Sequence, residues 1–252
     1  MGRAVVAAPA VAAAIVALVG LLGDGPGAAP HSARSATAAA PGTPPLVRKV
    51  DTGPGPPALV AAGRREVATP KAFDRRGATF LTVQGPLAVV SNAPTSPGKV
   101  ALTFDDGPGP LTRAFLQRLR RLHVKATFFV VGYAVRRRPH LLREIHTAGM
   151  TIGNHSWTHP PMRALPAKAQ RLEITANEDA IQSVVGYRPL FFRPPYKSFN
   201  LVTAREIAAA GMIGALYTID TRDWTRPGVR AIVRSALRVK PGGVIAMHDF
   251  GV

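Results

Sequence analysis

Beyond residue 98 the texture of the chain changes, and short apolar runs alternate with longer segments of mixed polarity. The runs at 100–104, 126–131, 150–154, 190–193, 213–219 and 244–247 have the length and composition of buried strands. Helix-like stretches at 111–122, 139–148, 166–185, 203–210 and 229–239 lie between them. This alternation predicts an α/β fold with a parallel sheet and helical crossovers, either an open doubly wound sheet or a barrel. Both architectures gather their chemistry at the C-terminal ends of the strands.

Upstream the pattern is different. A short basic start, Met1-Gly2-Arg3, precedes an uncharged apolar run over 4–22, which Gly23-Asp24-Gly25 ends. Small residues follow at 28–29 and 36–40, as a signal peptidase requires. A run of about 19 apolar residues is also long enough to stay in a bilayer. Residues 1–30 are therefore read as a signal peptide or an N-terminal membrane anchor. Membrane contact is expected only through an uncleaved segment, and the rest of the chain is expected to be secreted or held at the cell envelope. Residues 31–97 are rich in Ala, Pro and Gly, as in Gly53-Pro54-Gly55-Pro56-Pro57, and are read as a mostly disordered spacer. A small hairpin over 78–90, around Gln84-Gly85-Pro86, is the one exception expected there. Residues 98–252 are read as the folded, catalytic domain.

Polar clusters stand where the strand-end rule expects them. The first strand of this domain ends in Asp105-Asp106-Gly107-Pro108, and two acids at one strand tip can divide the work of metal ligand and general base. Alone, such a pair is more often a cap or a loop. The third strand runs into His155-Ser156-Trp157-Thr158-His159, whose histidines can converge on one ion from one face of a helical turn. With one of the two aspartates they make a set of two His and one carboxylate, the ligand count of an open catalytic zinc site. The fourth strand ends in Arg193-Pro194-Pro195-Tyr196, a stiff loop able to hold the Tyr196 N–H against a developing oxyanion. The fifth ends in Asp220-Thr221-Arg222-Asp223-Trp224, where Trp224 offers an apolar face of the kind sugars pack on. The last ends in Met247-His248-Asp249, and His248 is a candidate proton donor because its reference pKa lies near neutrality.

Composition narrows the chemistry. The absence of cysteine removes disulfides, thiolate ligands and thiol nucleophiles, so any metal must be held by His, Asp or Glu. Lysine and arginine outnumber the acids 32 to 14, a net charge of +18 that concentrates anionic partners. For an exported chain the expected partner is an anionic cell-envelope polymer or a lipid head group, although general basic composition explains the charge as well. No nucleic-acid motif accompanies the arginines of 113–138, which spread over presumed helix faces, and nucleic acid is not expected as a partner.

Taken in order, TFDDGP, HSWTH, RPPY, DTRDW and the terminal His248 resemble the NodB-like polysaccharide deacetylases, carbohydrate esterase family four, over residues 99–249. The resemblance implies a distorted (β/α) barrel and hydrolysis of N-acetyl groups on an amino-sugar polymer, peptidoglycan or a chitin-like oligosaccharide, releasing acetate. It assigns Asp106, His155 and His159 as ligands of a divalent metal, zinc first and cobalt or a similar ion as the alternative. Asp105 becomes the general base, Arg193 its orienting partner and His248 the general acid. Either Asp220 or Asp223 supports the acid or braces Arg193. Pro195 and Tyr196 shape the oxyanion hole, Trp224 contacts substrate, and Ile245 lines the acetyl-methyl pocket. Because the sequence stops at Val252, the barrel is expected to be incomplete there, with its last strand an uncovered edge. Two other readings keep the fold: an O-acetyl esterase of acetylxylan type, and a non-catalytic glycan-binding wall module.

Overall fold

A computed structural model describes residues 6–7, 89–91 and 99–250. Its strands are β1 (Val6–Ala7), β2 (Val89–Val90), β3 (Lys99–Asp105), β4 (Thr127–Val130), β5 (Thr151–Asn154), β6 (Phe191–Phe192), β7 (Ile213–Ala215), β8 (Ile219–Asp220) and β9 (Val244–His248). Its helices are α1 (Thr112–Arg121), α2 (Gly132–Arg137), α3 (Pro139–Thr147), α4 (Ala167–Val185), α5 (Leu201–Ala209) and α6 (Val229–Ala236). The strands from β2 onward lie in the order β2-β7-β6-β5-β4-β3-β9-β8, all parallel, and β1 pairs antiparallel with the start of β3. This is the parallel α/β half-barrel that the motifs imply.

Chain connectivity forces the sheet to curl. β7 and β8 stand six places apart in the strand order. In a flat sheet, strands about 4.8 Å apart would separate them by roughly 29 Å. The four residue steps from Ala215 to Ile219 can span at most about 14 Å, so the two sheet ends must bend toward each other. Leu216–Thr218 bridges them directly: the Leu216 N–H donates to Val90 O on one side (2.7 Å) and the Thr218 N–H to Val244 O on the other (2.9 Å). The run 213–219, read as one strand, is therefore two strands at opposite ends of the sheet. Its hydrophobicity reflects burial, not continuity.

Alternation along the strands divides the two faces. Leu102, Phe104, Phe128, Val130, Ile152, Ile245 and Met247 face the helices and pack with Phe115, Leu119, Leu142, Ile145, Ile181 and Ile232. Phe104 anchors this layer, with ring centroids 5.0 Å from both Phe115 and Phe128. Burying one such side chain contributes roughly 1.5–3 kcal/mol. The residues between them on β3, Thr103 and Asp105, point the other way, into the curl, where they meet Arg193. Helix ends follow local signals. Gly186 closes α4 in the left-handed conformation (φ 81°), and Asn200 opens α5 by accepting from the Thr203 N–H at 3.0 Å.

Other elements depart from the sequence pattern. Helix α2 leaves no periodic signal, because its single turn and a half is too short to establish a period. The last strand is not an uncovered edge, because β9 lies between β3 and β8 and β8 is the outer strand. Val89 and Val90 join the sheet as parallel partners of Gly214 and Ala215 instead of pairing locally. The remainder of the expected hairpin, and the apolar run 4–22 apart from Val6–Ala7, lie outside the described residues. Among the described residues, no helix is long and apolar enough to cross a membrane.

Candidate active site

The site is assembled at the C-terminal ends of β3, β5, β6 and β9, on the inner face of the curl. Asp105 closes β3, and Asp106 then adopts φ 74°, a conformation costly for a residue with a Cβ. That turn brings neighbouring carboxylates to one cleft, where His155 Nε2 lies 4.0 Å from Asp105 Oδ2 and 3.4 Å from Asp106 Oδ1. His159 Nε2 lies 3.0 Å from the same Asp106 oxygen. Of eight non-glycine residues with positive φ among the described residues, seven sit in the strand-end loops: Asp106, Ser156, His159, Tyr196, Lys197, Arg222 and Arg226. Strain of this kind persists where the surrounding structure over-determines it.

The two histidines do not share a helix face. They sit in the loop after β5, bent by positive φ at Ser156 (65°) and His159 (63°), with ring centroids 4.9 Å apart. The loop is held by groups that sequence motifs do not single out. Glu173 on α4 accepts from the Trp157 N–H (2.9 Å), the Thr158 N–H (2.8 Å) and the Thr158 hydroxyl (2.6 Å). Buried Asn154 accepts from the Ser156 N–H (2.9 Å) and from the Asn177 side-chain amide (2.8 Å). A glutamate in the first half of a helix carries no sequence signal of such a role.

Asp106, His155 and His159 fit a cation. Among the described residues they are the one group of three such side chains whose ligand atoms all lie within 4.8 Å of one another. His155 Nδ1 is 2.7 Å from the Arg193 carbonyl, which can only accept, so that nitrogen carries the proton. Nε2 then faces a carboxylate oxygen, an arrangement that calls for positive charge between them, carried as a proton on the ring or supplied by a bound cation. Asp106 Oδ1 is buried and has no hydrogen-bond partner. Burial alone would raise the Asp106 carboxyl, but the two imidazoles beside it outweigh that and hold it well below the usual carboxylate range. Three protein ligands and an open position are what a catalytic zinc site uses.

Arg193 organises the cleft. It is 1% exposed, and its guanidinium donates to Asp105 Oδ1 (2.7 Å), Thr103 Oγ1 (2.7 Å), Ala215 O (3.1 Å) and Leu216 O (3.2 Å) while lying over the Phe129 ring. Its own carbonyl fixes His155, so one residue sets both a carboxylate and a candidate ligand. Across the parallel pair β3–β9, Asp105 is the register partner of His248. His248 Nδ1 is 2.7 Å from Asp223 Oδ1, and the His248 N–H donates to Asp223 Oδ2 at 2.8 Å. Burial would depress this imidazole. The Asp223 hydrogen bond and charge, helped by Asp105 and Asp106, override it and raise the pKa to about 9.

Asp223 is thus the aspartate that touches His248. Asp220 accepts from the Arg222 N–H (2.8 Å), and neither of the two is among the hydrogen-bond partners of Arg193. Pro195 is buried, and Tyr196 stands 69% exposed at φ 56°, its hydroxyl 3.1 Å from His159 Nδ1. Trp224 is 48% exposed, beside Arg222. Ile245 does not line the cleft. It is one residue out of phase with His248, fully buried among the helix-facing side chains, and Ala246 occupies the inner face in its place. A groove of about 420 Å³ near Val135, Trp157, Ala180 and Val184 is lined by none of the candidate ligands or proton carriers.

Fold and site together define a curled parallel α/β hydrolase with a two-histidine, one-carboxylate centre. The polysaccharide deacetylase family model matches residues 92–215. A chitooligosaccharide deacetylase from Bradyrhizobium is 37% identical over 153 residues, 60% of this chain and 70% of that protein. A peptidoglycan-N-acetylglucosamine deacetylase from Bacillus cereus is 32% identical over 181 residues, 71% of this chain and 66% of its own length. Among solved structures, a family 4 carbohydrate esterase from Streptomyces lividans superposes with a TM-score of 0.59 at 37% identity, over 61% of this chain and 80% of that one. The chain belongs to the polysaccharide deacetylase family, carbohydrate esterase family four, and is a hydrolase of that family.

Proposed function

We propose that this protein is a metal-dependent N-deacetylase that releases acetate from an N-acetylated envelope glycan, peptidoglycan or a chitin-like oligosaccharide, with zinc as its ion. The observation that carries this reading is the partnerless Asp106 Oδ1 between two imidazole nitrogens, beside an Arg193-held Asp105 and an Asp223-held His248. A divalent cation held by Asp106, His155 and His159 would polarise the acetyl carbonyl and acidify a water.

The chain's own groups complete the chemistry. Asp105, oriented by the Arg193 guanidinium, accepts the proton of the attacking water. The Tyr196 N–H, aimed by the Pro194-Pro195 backbone, stabilises the developing oxyanion, a donor of a type typically worth ~3–4 kcal/mol. His248, protonated at neutral pH because of Asp223, gives its proton to the departing amine, which cannot leave as an anion. That requirement favours the amide reading over an O-acetyl esterase, whose alcohol leaving group needs the proton less. Trp224 and Tyr196 offer exposed aromatic faces for the sugar rings. Export is supported by the uncharged run 4–22, and an anionic envelope polymer by the net charge of +18.

Incubating zinc-loaded protein with N-acetylglucosamine oligomers and with peptidoglycan, then measuring acetate and the loss of acetyl mass, tests the reading. Acetate from either glycan supports it. No acetate from any glycan while metal is bound would replace it with the glycan-binding module.

The His248–Asp223 pair makes a separate prediction. Replacing Asp223 with Asn removes the charge that raises the imidazole, so the alkaline limb of kcat/KM is expected to move down by about 1–3 pH units. The sign for stability is the same. Because the folded pKa is raised from 6.5 to about 9, the pair's stabilisation is complete below about pH 6.5 and is lost as pH rises through about 9. A pH–rate profile and melting curves from pH 6 to about 10 check both.

A further inference from the structure

We propose that Asp249 is a positioning residue that clamps the loop carrying Asp106 onto the end of β9, thereby fixing His248 relative to the ion-binding side chains. The proposal rests on the deacetylase reading only where turnover is measured. Asp249 follows His248 directly and is completely buried. Its Oδ2 accepts the hydroxyl of Thr112, itself fully buried, and that hydroxyl in turn accepts the Gly109 N–H at 2.7 Å. The Thr112 N–H closes the turn back onto Gly109 O at 3.2 Å. A continuous path therefore runs from Asp106 through Gly107–Gly109 and Thr112 to Asp249 and His248.

The backbones along this path are pressed together. A Cβ at Gly107 would come within 2.3 Å of Asp249 Oδ1, and one at Gly109 within 2.6 Å of the Phe250 Cα. Only glycine at these two positions lets the ligand-bearing loop lie on residues 249–250. From the other side, the Val131 N–H holds Gly107 O at 2.9 Å, so the loop cannot swing away without breaking one of the two anchors. The Asp249 N–H also reaches toward Asp105 O, at 3.4 Å.

Stability alone does not account for a carboxyl here. Asp249 Oδ1 is buried without a hydrogen-bond partner, and burying an under-satisfied carboxyl is unfavourable. Burial pushes the group up to about 7. An apolar side chain could fill the space with less desolvation, but it could not accept the Thr112 hydroxyl. The carboxyl's distinctive contribution is to fix the register between two loops whose tips carry different parts of the site.

The test uses the full chain with T112V, T112S and D249A, reading zinc affinity by chelator competition, kcat and KM for acetate release, and thermal melting. Zinc binding reads the clamp without any assumption about substrate. We expect T112V and D249A, which remove the donor and the acceptor in turn, to weaken zinc binding by about 10–100-fold, the range typical of groups that orient ligands. Their kcat is expected to fall at least about tenfold with KM unchanged within about twofold, because the substrate contacts are untouched. T112S, which keeps the hydroxyl, restores both. If T112V does not fold, D249A against T112S decides by the same two readouts. Native zinc affinity and kcat in folded T112V or D249A, with only the melting temperature lowered, would overturn the proposal. A wild type that binds zinc yet releases no acetate sinks the deacetylase reading, and the zinc affinities then judge the clamp alone.

Discussion

H155A is expected to lose at least about a thousandfold in kcat and to bind zinc far more weakly, while remaining folded. Two ligands cannot hold a divalent ion as three do, and an open catalytic site has no spare protein ligand to compensate. The His155 ring is buried, and its Nδ1 bond to the Arg193 carbonyl makes it the best-oriented of the three candidate ligands. Its removal also leaves the Asp106 carboxylate beside Asp105 with less positive charge nearby. Dialysis of the wild type against a chelator should abolish acetate release, and added zinc should restore it. H155A, by contrast, should not recover at any zinc concentration that wild type needs. Full activity in chelated, metal-free wild type would refute the metal-dependent reading.

The second large effect is expected at Arg193. Replacing it with Met is predicted to destabilise the fold by about 3–5 kcal/mol, because it strands a buried carboxylate. Asp105 is 4% exposed, and its ion pair with Arg193 lies wholly inside the curl. The substitution also leaves Ala215 O, Leu216 O and Thr103 Oγ1 without the donor they share. At about 2–4 °C per kcal/mol for a domain of this size, melting should fall by roughly 6–20 °C. Activity should vanish, since Asp105 would lose both its orientation and its ion-pair partner. Adding D105N to R193M removes the stranded charge and should recover part of the stability and none of the activity. Independent, additive losses in the double variant would show that the two residues are not coupled.

Asp223 and Asp220 show how far motifs reach. Both belong to one short polar cluster at a strand end, and nothing in their spacing separates them. The turn through Arg222, at φ 54°, points Asp223 at His248 and leaves Asp220 accepting from a local backbone N–H. Ile245 is the opposite case. It stands three residues before His248 on a strand whose side chains alternate, so the period of two by itself excludes it from the inner face. Glu173, Asn177 and Thr112 are illegible in the sequence for another reason. Each acts through long-range hydrogen bonds, and such partners leave no periodic or compositional trace.

The linear order of residues was enough to establish the α/β class, most strand and helix positions, the absence of thiol chemistry, and the clustering of candidate ligands and proton carriers at strand ends. These properties follow from local periodicity and from the rule that strand termini carry the chemistry, and both are short-range. Tertiary structure alone decided that 213–219 is two strands, that β9 is internal, that Asp223 and not Asp220 meets His248, and that buried Arg193 joins the carboxylate to the histidine loop. Each of these depends on bringing together segments tens of residues apart, where closure of the curled sheet, not local preference, fixes which atoms touch.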